Sequence, residues 1–298
     1  MTDAIETTGL TKRYGRRVAL SECTLSIPTG KVVGLVGPNG AGKTTLMHLA
    51  VGLLEPSAGG VRVLGHPPAE GPEQLGHVGF VAQNTPLYAY MSVADHLRFG
   101  GWVNPTWDQG LAEQRIERLG LDLHQKAGTL SGGQRAQLAL TLGIAKRPEL
   151  LMLDEPVASL DPLARREFLQ ALMAIAVEHG VSIVLSSHLV ADLERVCDYL
   201  VVLVGSRVQI TGDIETLLAH HHRLIAPRRE GLRLPSSWEV IEKSDTERQS
   251  TLIVRHEEPI HDPAWTVEQL DLEDLVLAYM GRAVGSGTQF PALVGATS

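Results

Sequence analysis

Two kinds of apolar pattern succeed each other along the chain. Residues 4–11 ("AIETTGLT") and 18–27 ("VALSECTLSI") alternate polar and apolar positions, carry many β-branched side chains and flank the turn-like "KRYGRR", which predicts strands of an antiparallel sheet. Four short, nearly continuous apolar runs follow, "KVVGLVG" (31–37), "HVGFVAQ" (77–83), "LLMLDEP" (150–156) and "VSIVLSSH" (181–188), separated by helix-length sequence. Runs of this length suit strands buried on both faces of a parallel sheet. Each ends in a polar or glycine-rich group: the loop from Gly37, then Gln83, then Asp154 and Glu155, then His188. Open α/β sheets bind ligands beyond the carboxyl ends of their strands. The pattern therefore predicts one site where four strand ends converge.

Residues 84–145 interrupt the strand series with helix-like sequence, including "WVNPTW" and "AEQRIERLGL", and predict an inserted helical lobe in which Trp102 and Trp107 either pack the lobe or line a groove for a partner, packing being favoured. From about 223 the texture changes again. "APRREGLRLPSS" reads as a linker, "WEVIEKSDTERQSTLIVRHE" as two strands, and "LEDLVLAYM" (272–280) as an amphipathic helix with Leu272, Leu275, Val276 and Tyr279 on one face. The candidate partners of that stripe are the hairpin around "STLIV", the preceding domain and the same module in a second copy; the hairpin is expected first and a dimer contact second, in a module suited to tethering or regulation. The expected division is 1–222, 223–280 and a flexible tail at 281–298.

Composition narrows the function. With 34 acidic against 26 basic residues the net charge is −8, which gives no general attraction to nucleic acid. Two cysteines, Cys23 and Cys197, are too few for a disulfide framework, and "MTDAIETT" lacks the basic and apolar segments of a secretory signal, so a reducing cytoplasm is expected. Apolar runs such as "YLVVLVG" (199–205) fall well short of the roughly 20 residues that cross a bilayer.

"GPNGAGKTT" (37–45) follows an apolar strand and opens a helical pattern. Its glycines let backbone N–H groups turn inward around phosphate, Lys43 supplies a mobile cation and the Thr44 hydroxyl suits Mg²⁺. Asp154, at a strand end, would hold Mg²⁺ through water, and Glu155 is placed to polarise an attacking water. Gln83 and His188 are weak signals alone and gain weight from sharing that rim. "LSGGQ" (130–134) is a second glycine-rich helix start, with Ser131 as a good N-cap and the helix ending at Lys146, Arg147 and Pro148. The run "HHH" (220–222) is a poor metal site, because adjacent helical residues point about 100° apart.

Taken in order, "GPNGAGKTT", Gln83, "LSGGQ", "LLMLDE", "SLD" (159–161) and His188 resemble the nucleotide-binding subunit of an ATP-binding cassette (ABC) transporter over roughly residues 3–220. The resemblance implies an α/β P-loop NTPase (RecA-like) core with an N-terminal antiparallel sheet, an inserted helical subdomain and here a small C-terminal α+β module. It implies ATP and Mg²⁺, the metal being held by Thr44, Gln83 and Asp154, with Tyr14 under the adenine and Gly37, Asn39, Gly40, Gly42, Lys43, Thr44 and Thr45 around the phosphates. In this family two cassettes dock head to tail, so Ser131, Gly132, Gly133 and Gln134 would face the partner's ATP and Asp161 would cross between the sites. Glu155 would drive hydrolysis, with His188 and Gln83 sensing the terminal phosphate. The implied partners are a second cassette, most simply a homodimer, and an integral membrane permease at the cytoplasmic side of the cell membrane. A soluble translation or DNA-repair ABC protein fits less well, since the chain has one cassette and the interval from Lys43 to Ser131 is too short for a coiled coil. A small-molecule kinase would have no use for "LSGGQ". "PLYAYMSVADHL", "NPTWD" and "LEDLVLAYMGR" resemble exporters of drugs, antibiotics or lipids whose permease is encoded separately.

Overall fold

The computed structural model describes residues 3–228, 234–258, 260 and 262–285. Strands β1 (Asp3–Tyr14) and β2 (Arg17–Pro28) pair antiparallel across the tight turn at Gly15 and Arg16. β3 (Val32–Val36) runs into helix α1 (Lys43–Ala50), and β4 (Ala58–Val63) returns to the free edge of β1, giving the sheet order β2-β1-β4. β4 is glycine-bearing and largely exposed, which is why no apolar run announced it. After α2 (Pro72–Gly76) and β5 (Val78–Val81) comes the inserted lobe of α3 (Val93–Val103), α4 (Gln109–Arg118) and α5 (Gly132–Ala145). Val93, Leu97, Ala112, Ile116 and Leu138 form its own apolar core.

The chain then lays down β6 (Leu150–Leu153), α6 (Pro162–His179), β7 (Ser182–Ser187), α7 (Val190–Glu194), β8 (Tyr199–Val204), β9 (Arg207–Asp213) and α8 (Ile214–Ala219). The central sheet has the order β5-β6-β7-β3-β8-β9, parallel except for β9. Its four expected strands are present; β3, β5 and β6 are apolar throughout because both faces are covered, and β7 carries buried Ser182, Ser186 and Ser187 around its apolar centre. On β3, Val33 and Leu35 pack with α1 and the antiparallel sheet, while Val32 and Val36 join the layer of α5, α6 and α7. Full burial of one such side chain stabilises by roughly 1.5–3 kcal/mol relative to exposure. α1 is thereby clamped between two sheets, and the loop before it is held at the carboxyl end of β3.

The C-terminal region contains β10 (His221–Pro227), β11 (Glu239–Asp245), β12 (Gln249–Arg255) and β13 (Thr266–Gln269), an antiparallel sheet of order β11-β12-β10-β13, followed by α9 (Leu272–Gly285). The division expected between residues 222 and 223 falls inside β10, whose first two residues are histidines paired with Arg255 and Val254. Polar residues at a strand start carry no periodic signal, so the apolar texture began only at Leu224. Part of the expected linker is the end of β10, and residues 229–233 lie outside the described residues. α9 extends past residue 280 to Gly285, and the rest of the expected tail, 286–298, also lies outside them.

The stripe Leu272, Leu275, Val276 and Tyr279 is buried as expected, but its partners are wider than the hairpin. These residues share one core with Ile241 and Ile253 of the hairpin and with Val190, Leu193, Val204 and Ile210 of the central unit. His221 pins the same junction: its Nδ1 lies 2.6 Å from the Leu217 carbonyl, so Nδ1 carries the proton and Nε2 accepts from the Tyr279 hydroxyl at 3.0 Å. Burial holds the His221 pKa below its ordinary value and pushes the Tyr279 phenol up to about 12, which keeps this donor and acceptor assignment.

Candidate functional site

The carboxyl ends of β3, β5, β6 and β7 do converge. α1 starts from Gly42 at φ 111°, a left-handed conformation in which a Cβ would lie 2.5 Å from the Ala19 carbonyl oxygen, so glycine is required twice over. No side chain caps the helix, which leaves its first N–H groups turned to the loop. Lys43 follows directly. Its ammonium donates to the Gly37 carbonyl at 2.8 Å and lies 3.2 Å from Oε1 of Glu155, with only 5% and 10% of the two side chains exposed.

Glu155 is the hub. Gln83 Nε2 donates to its Oε2 at 3.3 Å, and His188 Nδ1 lies 3.2 Å from the same oxygen. An ionised carboxylate only accepts, so in that contact Nδ1 of His188 carries the proton. The Glu155 backbone sits at φ 45°, in the left-handed region that non-glycine residues seldom adopt, and such strain gathers at functional sites. Its geometry is fixed from β7: Ser186 Oγ accepts from the Glu155 N–H at 2.8 Å and donates to Asp154 Oδ1 at 2.7 Å. The parallel register that pairs Leu153 with Leu185 sets this clasp, because it puts the two following residues side by side. Sequence reasoning missed Ser186; its only signal was its place one step beyond that pair.

A cleft of about 400 Å³ opens over this network. Asn39, Gly40, Gly42, Thr44 and Thr45 of the loop and helix start line it together with Gln83, Glu155 and Tyr14. The Tyr14 ring is 47% exposed, and the Lys12 ammonium stands 5.5 Å from its centroid, leaving the ring one open face. Arg17 also lines the cleft and was not foreseen. The oxygens of Thr44, Gln83 and Asp154 form an all-oxygen donor set, the chemistry that suits Mg²⁺.

The remaining site residues expected from sequence do not line the cleft. Ser131 caps α5 in a reciprocal box, its Oγ accepting from Gln134 N at 3.1 Å and its N–H donating to Gln134 Oε1 at 2.9 Å. Gly133 abuts α6, where a Cβ would lie 3.0 Å from that of Ala164. Asp161 caps α6 by accepting from Leu163 and Ala164 N–H groups at 3.0 Å.

A sequence model of the ABC transporter family matches residues 20–158. The chain is 35% identical over 229 residues to Nod factor export ATP-binding protein I of Cupriavidus pinatubonensis, covering 73% of this chain and 69% of that protein. The chain belongs to the ATP-binding proteins of ABC transporters. It is also 36% identical over 219 residues to the sulfate/thiosulfate import ATP-binding protein CysA of Bordetella parapertussis, covering 70% of this chain and 62% of that one. A solved ATP-binding subunit of an ABC transporter superposes with a TM-score of 0.64 at 28% identity, over 72% of this chain and 91% of that one. The protein is thus the ATPase subunit of a transporter, on the P-loop NTPase fold expected from its sequence. Relatives named for export and for import both match, so the family does not set the direction of transport.

In this ATP-binding subunit no helix among the described residues is long and apolar enough to cross a membrane. No group of three or more His, Cys, Asp or Glu among them is arranged to hold a metal ion, and the central histidine of "HHH" is the buried, hydrogen-bonded His221. The helical lobe and β5 enclose an apolar groove of about 550 Å³, lined among others by Phe80, Leu87, Tyr88 and Phe99. Trp107 packs over Gly100 as expected for the lobe, whereas Trp102 stands 80% exposed instead of packing.

Proposed function

We propose that the subunit works as a homodimer that hydrolyses ATP at two composite sites and drives export through a separate permease at the cytoplasmic face of the membrane. The observation that carries the ATP site is the convergence of Lys43, Gln83 and His188 on Glu155 at the sheet edge. Tyr14 stacks the adenine on its open face, and the loop from Gly37 to Thr45 receives the phosphates with its N–H groups and Lys43. Arriving phosphate offers Lys43 a stronger partner than Glu155, and the ion pair breaks. Glu155 Oε1 is then released to accept a proton from water, while His188 and Gln83 hold Oε2 and orient the carboxylate. Mg²⁺, held by Thr44, Gln83 and, through water, Asp154, would neutralise phosphate charge.

The rest of each composite site comes from the partner. Ser131, Gly132, Gly133 and Gln134 are exposed or partly so, outside the cleft and at a helix start, which supports a role toward an anion carried by another chain. Asp161 sits at the neighbouring α6 start and would bridge the two sites. The apolar groove beside α3 and the exposed Trp102 and Tyr90 are the surface offered to the permease. Export is favoured over import by the resemblance of "PLYAYMSVADHL", "NPTWD" and "LEDLVLAYMGR" to exporters and by the Nod factor export relative.

The test is Glu155→Gln. The amide cannot act as a base, so hydrolysis should fall about 10²–10⁴-fold while ATP still binds. Size-exclusion chromatography with Mg-ATP should then show a dimer that is absent without nucleotide. An elution volume unmoved by Mg-ATP would refute the ATP-held homodimer for the isolated subunit.

A further inference from the structure

We infer that Arg17 is a second phosphate-binding cation and the first to engage incoming nucleotide. The inference rests on the reading of the cleft as the nucleotide site. Among the described residues two cations line that cleft, Arg17 and Lys43, and their situations differ. The Lys43 ammonium is buried, bonded to the Gly37 carbonyl and paired with Glu155, so its charge is already compensated within the chain. Arg17 is exposed, and its guanidinium has neither a hydrogen bond nor an ion pair among the described residues. It stands at the start of β2, opposite Tyr14 across the two-residue turn, and its Nη2 lies 3.6 Å from the position a Cβ would occupy on Gly40. That places a free planar donor between the ring proposed for the adenine and the loop proposed for the phosphates.

A guanidinium offers paired N–H donors that match phosphate oxygens. Ordering Arg17 over the loop breaks no existing contact, whereas Lys43 must first leave Glu155. A tetra-anionic nucleotide approaching a cleft on a chain of net charge −8 needs a local cation to steer it. The order of events follows: Arg17 captures the phosphates, and the Lys43 to Glu155 exchange comes after.

Stopped-flow binding of a fluorescent ATP analogue to the full chain tests this. Arg17→Ala should slow association about tenfold, the low end of what charge focusing in a cleft provides, and should flatten the fall of the rate with added salt. Arg17→Lys should restore most of the rate and the salt dependence. Affinity for adenosine, which has no phosphate, should not change. Equal association rates for wild type and Arg17→Ala would overturn the assignment while leaving the nucleotide site intact. An equal loss of adenosine affinity would overturn it too, by showing that Arg17 acts through the Tyr14 ring. A wild-type chain that bound no analogue would sink the site itself.

Discussion

The two glycine-rich helix starts of this subunit look alike in sequence and differ in structure. At α1, Gly42 adopts a conformation that other residues rarely take, no side chain caps the helix, and polar groups from three other strand ends, Gln83, Glu155 and His188, surround the loop. At α5, Ser131 and Gln134 cap the helix themselves, and the nearest atom to a Cβ built on Gly132 is Leu160 Cδ2, at an ordinary 3.8 Å. Nothing inside the chain requires glycine at 132. The space left at Gly132 is open to an approach from outside the chain, and a second chain carrying nucleotide is the occupant we propose. The residues around the phosphate loop satisfy one another within one chain, and the "LSGGQ" start is what we propose as half of a site completed by a partner.

The comparison breaks most visibly under complementation. Lys43→Ala removes the phosphate cation and Ser131→Arg blocks the second helix start, and each chain alone should lose about 10²-fold or more of its ATPase activity. Mixed in equal amounts, random pairing makes half the dimers mixed, each with one intact composite site, so about a quarter of wild-type activity should return. No recovery at any mixing ratio would mean that "LSGGQ" acts on its own chain's nucleotide.

Next in size is a pair of alanine substitutions read by thermal melting. Gly42→Ala forces a non-glycine residue to φ 111° against the Ala19 carbonyl, which should cost about 1–3 kcal/mol of stability. Gly132→Ala meets no close atom and replaces a helical glycine, so it should leave stability unchanged or raise it by up to about 1 kcal/mol while ATPase activity falls. Full ATPase activity in Gly132→Ala would remove the case for a partner's phosphate approaching there.

Legibility in the sequence followed the same division. Strands with a run of apolar residues could be read, because burial on both faces of a parallel sheet favours apolar side chains at successive positions. β4 and β10 could not, the first being exposed and rich in glycine and the second opening on His221 and His222. The stripe on α9 showed which face was buried, but a stripe names no partner, and its sharing a core with Leu193 and Val204 emerges only when the chain is folded. Within the site, residues embedded in spaced motifs were legible as a set. Ser186 and Arg17 were not, because one acts through strand register and the other through the closeness of a hairpin end to a loop, and neither relation leaves a spacing rule.

The smallest expected change in stability separates the two things Ser131 could be doing. Its Oγ accepts from the Gln134 N–H, and a simple alanine would remove that cap at a cost of about 1 kcal/mol, confusing loss of fold with loss of function. Ser131→Asp avoids the confusion. Aspartate caps helices about as well as serine and its charge suits a helix amino end, so melting should stay within about 0.5 kcal/mol of wild type. The same carboxylate would stand where the partner's phosphate is proposed to arrive, and repulsion there should suppress both the ATP-dependent dimer and hydrolysis, while binding of nucleotide to the monomer's own loop persists. A Ser131→Asp chain that melts like wild type and still hydrolyses ATP at full rate would show that Ser131 is a helix cap and nothing more, and the second anion site would have to be given up.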